Sequence, residues 1–395
     1  MEHLIVSAME QALGWSGPGR VGTDFVRGQL PGTGVAARLL TPTKLLDLAT
    51  RRSLTTPQLR CFQSGRELHP FLYCTDEIGR RGQSIRMVDT IKLDAILREG
   101  CTLVLDEIDV FDPVLEVFCR AMQWWSHEIV QINAYLTTQE AAGFDMHWDD
   151  HDVIIFQVAG EKSWEVRAPS RNAPMYRDAV TATEPSRDVV WSGVLKAGEV
   201  MHIPRGHWHR ATREGMGEGF SLHATVGFVK RTGVTWMNWL ADQSRAEDLF
   251  RTDLDRWAEP EAWAAQQAEL LAAVAKLAAE HTPAESLHAR ETQRPPARQI
   301  PAFDLFGEPH GAVCVTQFEP SIEQHGDTIA VLAAGKKLTF KARAANALES
   351  LLSGAPVQFT DADTRTVAAA LVKEGICAPM TEELSLGYTG LVTCA

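Results

Sequence analysis

The chain has 395 residues, 45% of them apolar, enough for two or three domains with real cores. Lys and Arg number 38 against 51 Asp and Glu, a formal charge of −13. That balance excludes a protein whose main partner is exposed nucleic-acid phosphate and leaves basic peptides and proteins open. Seven cysteines (Cys61, Cys74, Cys101, Cys119, Cys314, Cys377 and Cys394) are odd in number, scattered and without a CxxC pair. They point to reduced thiols in a cytoplasmic setting rather than a disulfide frame or a zinc site. Met1-Glu2-His3-Leu4 lacks a basic stretch followed by a long apolar run, and no window of about 18 apolar residues occurs. Neither a signal peptide nor a membrane span is expected.

Up to about Phe111 the pattern mixes turns with short amphipathic helices, at Pro42–Leu48 and Leu93–Leu97. Thr102–Asp106 reads as a buried strand. Pro113–Trp125 is helical by its period, with Val114, Val117, Phe118 and Met122 on one stripe. From Ile129 to about Lys230 short β runs dominate. Val130–Leu136 alternates, Val153–Val158 is nearly continuous, Lys162–Val166 alternates again, and Val200–Ile203 and Phe220–Phe228 follow. Strands at this spacing with Gly and Pro between them suggest a double-sheet jelly roll, the architecture cupins use. The chain is therefore expected to be α+β, with a double-stranded β-helix core over residues 1–230 that includes an N-terminal elaboration.

Composition changes after Arg231. Ala262–Ala279 is rich in Ala and Leu, with Trp263, Leu270, Val274 and Leu277 at heptad-like spacing. That spacing suits either a helix packed on its own domain or a homodimer seam. Arg294-Pro295-Pro296-Ala297-Arg298 reads as a linker closing a helical segment, 231–298. Residues 299–395 resemble a small separate α+β domain, winged-helix-like in outline. Thr360-Asp361 caps a helix that Gly375 can end, and Leu384–Cys394 is expected to form a hairpin. Lys336, Lys337, Lys341 and Arg343 form a small basic cluster, better suited to a solvated face than to DNA.

The chemistry concentrates in His147-Trp148-Asp149 and, some fifty residues on, Gly198-Glu199-Val200-Met201-His202-Ile203-Pro204-Arg205-Gly206-His207-Trp208-His209. Two imidazoles and one carboxylate on a β scaffold form the facial triad that holds non-haem Fe(II) and leaves neighbouring positions open. On a strand, His147 and Asp149 share one face. The third ligand comes from His202, His207, His209 and His223. Parity does not separate His207 from His209, and the spacing after Pro204-x-Gly206 selects His209. A zinc or manganese cupin would more often show His-x-His with a Glu, and a cupin without metal remains the bland reading. Lys162 follows Gly160-Glu161. Pointing inward it would need an anion, whereas on a turn it would be an ordinary surface lysine. Trp148 and Trp208 flank the ligands, placed either to shield them or simply to pack.

Together, Asn133-x-Tyr135, His147-x-Asp149, Gly160-x-Lys162 and Gly198-Glu199-x4-Pro204-x-Gly206-x-x-His209 resemble the JmjC-type 2-oxoglutarate oxygenases, in their ribosomal-oxygenase branch. The resemblance rests on residues 120 to 230. The order of jelly roll, helical dimerisation segment and winged-helix-like domain extends it along the chain. It implies that His147, Asp149 and His209 bind Fe(II) and that Lys162 pairs with the C5 carboxylate of the cosubstrate 2-oxoglutarate. Asn133 and Tyr135 would line the cosubstrate pocket, and Ser221 would help hold the cosubstrate. Some members carry arginine where Lys162 stands. The implied activity is hydroxylation by dioxygen of a protein or peptide side chain, with His or Arg of a ribosomal protein the usual target. Asp150 and Asp152 would suit a basic segment, or are solvated loop acids. The competing functions are a hydroxylase of a natural-product precursor peptide or a small molecule, and a non-catalytic cupin-type interaction module.

Overall fold

The computed structural model describes residues 1–54, 58–175, 184–229, 231–295, 300 and 302–393. Lys230, Cys394 and the linker residues Pro296, Ala297 and Arg298 lie outside them. Its organising element is the strand Asp152–Pro169, 18 residues long. The sequence pattern expects two strands here, Val153–Val158 and Lys162–Val166. They are one strand, bent where Gly160 adopts φ +63°. A Cβ at this position would stand 1.9 Å from the Phe220 carbonyl oxygen, so only glycine fits the bend.

Before the bend, the strand lies between Glu199–Ile203 and Phe220–Val229; beyond it, between Val189–Lys196 and His207–Thr212, all antiparallel. Ile129–Thr138, Thr102–Leu105 and Leu59–Gln63 extend the larger sheet on one side, and Val26–Gln29 extends it on the other. Val26–Gln29 and Leu59–Gln63, together with a hairpin of Cys74–Ile78 and Ser84–Val88, fall where the sequence suggests only turns and helices. These runs are four or five residues long with mixed polarity, too short to show a period of two.

The bend makes two faces of one strand serve two cores. Ile154 and Phe156 pack with Ile132, Leu136, Phe118 and Met122 under the helices Leu4–Leu13 and Pro113–Ser126. Val153 and Ile155 face inward and pack with Trp164, Val166, Leu195 and Met201 between the sheets. Burial on both faces explains the near-continuous apolar run.

The helices Gly233–Ser244, Pro260–Glu280 and Pro283–Thr292 bury little: Leu240 and Leu277 are their only buried side chains among the described residues. No helix among the described residues is long and apolar enough to cross a membrane. Further on, Gly311–Cys314 pairs with Val357–Gln358 and Cys377–Pro379, beside a meander of Ser321–His325, Thr328–Ala333 and Lys336–Lys341. Asp361 caps Ala362–Lys373 by accepting from the Thr364 N–H, and Gly375 follows at φ +76°, as expected. The expected hairpin at Leu384–Cys394 is instead a short helix, Glu382–Ser385, followed by turns. Thr381 caps it, and Leu384, Tyr388 and Leu391 recur at helical spacing, which fits one buried stripe better than strand alternation. Lys336 and Lys337 pair with Glu374 and Glu323, which makes the basic cluster a solvated, ion-paired face.

Helix Pro113–Ser126 is shared between the jelly roll and this C-terminal part. Trp124 lies in the C-terminal core and donates Nε1–H to the Thr316 carbonyl at 3.0 Å. Arg120, 2% exposed, donates to the Tyr388 hydroxyl at 2.6 Å and to Glu116 at 2.7 Å. A buried guanidinium is tolerated only with such partners. The substitution Tyr388→Phe strands one of its N–H groups and should cost about 1–3 kcal/mol. Urea unfolding of the full chain should show this as a lower midpoint at unchanged slope.

Candidate functional site

His147 and Asp149 are not on a strand. They sit in the extended loop before Asp152–Pro169, and backbone pairing fixes the loop: His147 N–H to the His209 carbonyl at 3.1 Å, His209 N–H to the His147 carbonyl at 2.7 Å. The two imidazoles meet with centroids 4.4 Å apart, and His209 Nε2 lies 3.5 Å from Asp149 Oδ2. One ligand atom from each of the three residues lies within 4.8 Å of the others. His147 Nδ1–H donates to the Asp145 carbonyl at 2.7 Å and His209 Nδ1–H to the His207 carbonyl at 3.0 Å. Those bonds fix the tautomers and leave both Nε2 lone pairs for an ion. Burial, followed by the facing His147, pushes His209 down to about 4, so it is neutral, as a ligand must be.

The other histidines separate cleanly. A register shift between His207 and Trp208 breaks the parity that the sequence offered, and His207 opens onto a different cavity with Pro204 and Arg205. His202 is buried among the N-terminal residues, accepting from Gly22 N–H and donating to the Asp24 carbonyl. Trp208 turns away from His209 and donates to Ser170 Oγ, so it packs rather than shields. Trp164, 26° from coplanar with His209, is the aromatic wall of the site.

Behind the triad lies a cavity of about 80 Å³ walled by Tyr135, Lys162, Trp164, His223 and Thr225. Lys162, 2% exposed, is not a surface lysine. Its ammonium donates to Thr137 Oγ1 at 2.9 Å, and no carboxylate among the described residues pairs with it. Burial, then the Arg213 charge, depresses it to about 7. Thr137 Oγ1 lies 3.0 Å from Thr102 Oγ1, which donates to the Ala142 carbonyl, so the hydroxyl facing Lys162 is itself held. Gly143 lets its loop lie against His207–Thr212, since a Cβ there would meet the Ala211 carbonyl oxygen at 2.1 Å. His223 stacks on Tyr135 at 4.8 Å, and burial, then Lys162, holds it well below its ordinary range. A buried cation without a carboxylate, beside a two-nitrogen, one-oxygen face, fits a small dianion that also reaches a metal. The residues present therefore suit Fe(II) with 2-oxoglutarate.

Of the expected pocket residues, Tyr135 and Lys162 are in the wall. Asn133 shares Tyr135's face of Ile129–Thr138 but reaches outward, accepting from Glu107 N–H at 2.9 Å. Ser221 is buried and accepts from Gln157 Nε2 at 2.9 Å, outside the wall. Asp152 is no part of an acidic rim, because it is 1% exposed and accepts from the Arg205 N–H. The sequence offers no role for Thr102, Thr137, Trp164 or Thr225, and offers His223 only as a third-ligand candidate; His223 lies outside the triad, in the cavity wall. Strand parity puts His223 and Thr225 on one face with Ser221 along Phe220–Val229.

Residues 106–235 match the family model described as the JmjC domain. It is similar to the bifunctional lysine-specific demethylase and histidyl-hydroxylase NO66 of Drosophila persimilis, 31% identical over 129 residues, 33% of this chain and 18% of that protein. The Caenorhabditis elegans protein of the same name is 32% identical over 145 residues, 35% of this chain and 19% of that protein. The chain thus spans a fifth or less of the length of these curated relatives. In fold it is similar to Escherichia coli ycfD, with a TM-score of 0.55 at 16% identity, covering 91% of this chain and 95% of that one. A structure of that ribosomal oxygenase in complex with cobalt and 2-oxoglutarate gives a TM-score of 0.51 at 16% identity, covering 86% and 90%.

Lys162 gives a pH signature in the absence of metal and cosubstrate. Below about 7 the lysine is charged in both folded and unfolded chains, and its burial costs most. Between about 7 and its ordinary 10.5 the folded chain sheds a proton that the unfolded chain keeps, so stability rises with pH. Relative to Lys162→Met, the wild-type unfolding free energy should gain about 2 kcal/mol between pH 7 and pH 9. Denaturant titrations at the two pH values would measure it, and parallel pH dependence of the two proteins would contradict it.

Proposed function

We propose that the chain is an Fe(II)- and 2-oxoglutarate-dependent oxygenase that hydroxylates a side chain of a protein or peptide, with His or Arg of a ribosomal protein as the favoured target. The observation that carries this reading is Lys162, a buried cation without a carboxylate partner, in one cavity with His147, Asp149 and His209. The JmjC match, the histidyl-hydroxylase relatives and the fold shared with a ribosomal oxygenase support it.

His147, Asp149 and His209 would hold the iron, whose redox chemistry activates dioxygen when it is bound. Lys162 would pair with the far carboxylate of 2-oxoglutarate, and its ammonium, which burial disfavours, would be held in the charged form by that pairing. Thr137, held by Thr102, keeps that ammonium aimed. Trp164, Tyr135 and the neutral His223 make an aromatic wall that keeps water from the reacting centre. Neutral His223 adds no second cation beside Lys162.

In this reading residues 1–230 form the catalytic jelly roll, 231–298 a helical segment and 299–395 a winged-helix-like domain, in a cytoplasmic protein. Leu271 (61% exposed) and Val274 (42% exposed) on Pro260–Glu280 favour the helical segment meeting a second copy.

Succinate formed from 2-oxoglutarate under oxygen, after anaerobic loading with Fe(II), is the direct test. Wild type should form it and His209→Ala should not. Lys162→Met should raise the KM for 2-oxoglutarate by about 30-fold or more, the effect of removing one partner of a buried ion pair. Iron uptake without 2-oxoglutarate binding would move the chain to another metal-cupin chemistry.

A further inference from the structure

A second cavity, about 420 Å³, opens at the junction of the jelly roll and the C-terminal part. It shares a strand with the metal site: Ile129–Thr138 gives Tyr135 to the one and Gln131 to the other. Those two residues are four apart on the same face, about 13 Å along an extended strand. Asn133 stands between them on that face and accepts from the Glu107 N–H at 2.9 Å. Glu107, on the wall of the second cavity, is held at φ 52°, an uncommon conformation for glutamate that this bond supports.

The lining carries opposite demands. Glu107, Asp109 and Glu116 supply carboxylates, and Arg120 and Arg294 supply guanidiniums. Arg120 is 2% exposed and bonded to Tyr388 and Glu116, yet its Nε–H has no hydrogen-bond partner. A buried donor of this kind calls for an acceptor oxygen. Arg294 spends its Nε–H on Gln317. A simple cation would meet two guanidiniums here, and a simple anion would meet three carboxylates. A ligand bearing both carbonyl oxygens and a positive side chain satisfies the two sets together. Such a ligand is a polypeptide segment with Lys or Arg.

We propose that this cavity is an anchoring subsite for a basic residue of the polypeptide substrate, a few residues away from the one presented to the metal. Its carboxylates accept from the ammonium or guanidinium, and Arg120 Nε–H donates to a main-chain carbonyl. The proposal rests on the oxygenase reading for what the polypeptide is, and on the cavity alone for the binding.

Fluorescence anisotropy of a labelled octa-arginine peptide with the full chain tests it, against an octa-serine control. Arg120 is too deeply buried to substitute safely, so the variant is Glu107→Lys. A second variant, Glu323→Lys, makes the same charge change on the exposed hairpin of the C-terminal part. Octa-arginine should bind wild type and octa-serine much less. Glu107→Lys should weaken binding about tenfold and Glu323→Lys less than about twofold. Equal weakening by both variants would mean general attraction to an acidic chain and would overturn the subsite. So would equal binding of the two peptides, or no binding of octa-arginine. Wild-type succinate formation is measured alongside without peptide. If it is absent while Glu107-dependent binding persists, the oxygenase reading fails and the subsite stands.

Discussion

Everything at the site depends on one strand belonging to two sheets. Asp152–Pro169 can do so because Gly160 bends where any side chain would strike the neighbouring backbone. The first half of the strand carries the inward Val153 and Ile155, and the second carries Lys162 and Trp164, all on the wall of one cavity. A strand's two-residue period then does the remaining placement: side chains on one face line the cavity, and the others hold the sheet against its helices. A straight strand would leave Lys162 in a single flat sheet with no second wall to cover it. The depressed lysine and the neutral His223 both follow from the enclosure that this bend makes.

The jelly roll was legible wherever hydrophobic alternation ran for six or more residues, as along Ile129–Thr138 and Phe220–Val229. It was illegible where strands were short and polar, as at Val26–Gln29. The grouping of His147, Asp149 and His209 was legible from residue type and spacing, but His147 and Asp149 share a side through a loop pinned to His209 rather than through strand parity. Parity also could not choose between His207 and His209, which are two residues apart; a register shift between His207 and Trp208 is what separates them. Lys162 was ambiguous for a different reason. Whether a lysine after a glycine points in or out is decided by what closes over it, and the covering residues, Thr137 and His223, come from two other strands.

Tertiary context also decided the C-terminal end. Leu384, Tyr388 and Leu391 look compatible with either a hairpin or a helix until the shared helix Pro113–Ser126 is in place to receive them. That helix explains why the two parts meet over a polar contact as well as an apolar one. Trp124 supplies apolar area and Arg120 supplies direction, since a guanidinium satisfied by Tyr388 and Glu116 permits one orientation of the tail. The cavity beside it is the space this arrangement leaves over.

The paired backbones of His147 and His209 have a consequence for metal choice. Two ligands whose own main chains are bonded to each other cannot spread apart to admit a larger ion, nor rotate to recruit a fourth soft donor. Their imidazoles are further tethered through Nδ1. The face is thus rigid before any ion arrives, and the ordering entropy of ligation is already spent in folding. Such a face discriminates by shape: it suits ions content with three fixed donors and open remaining positions, and it resists the closed four-ligand shell of a structural zinc site.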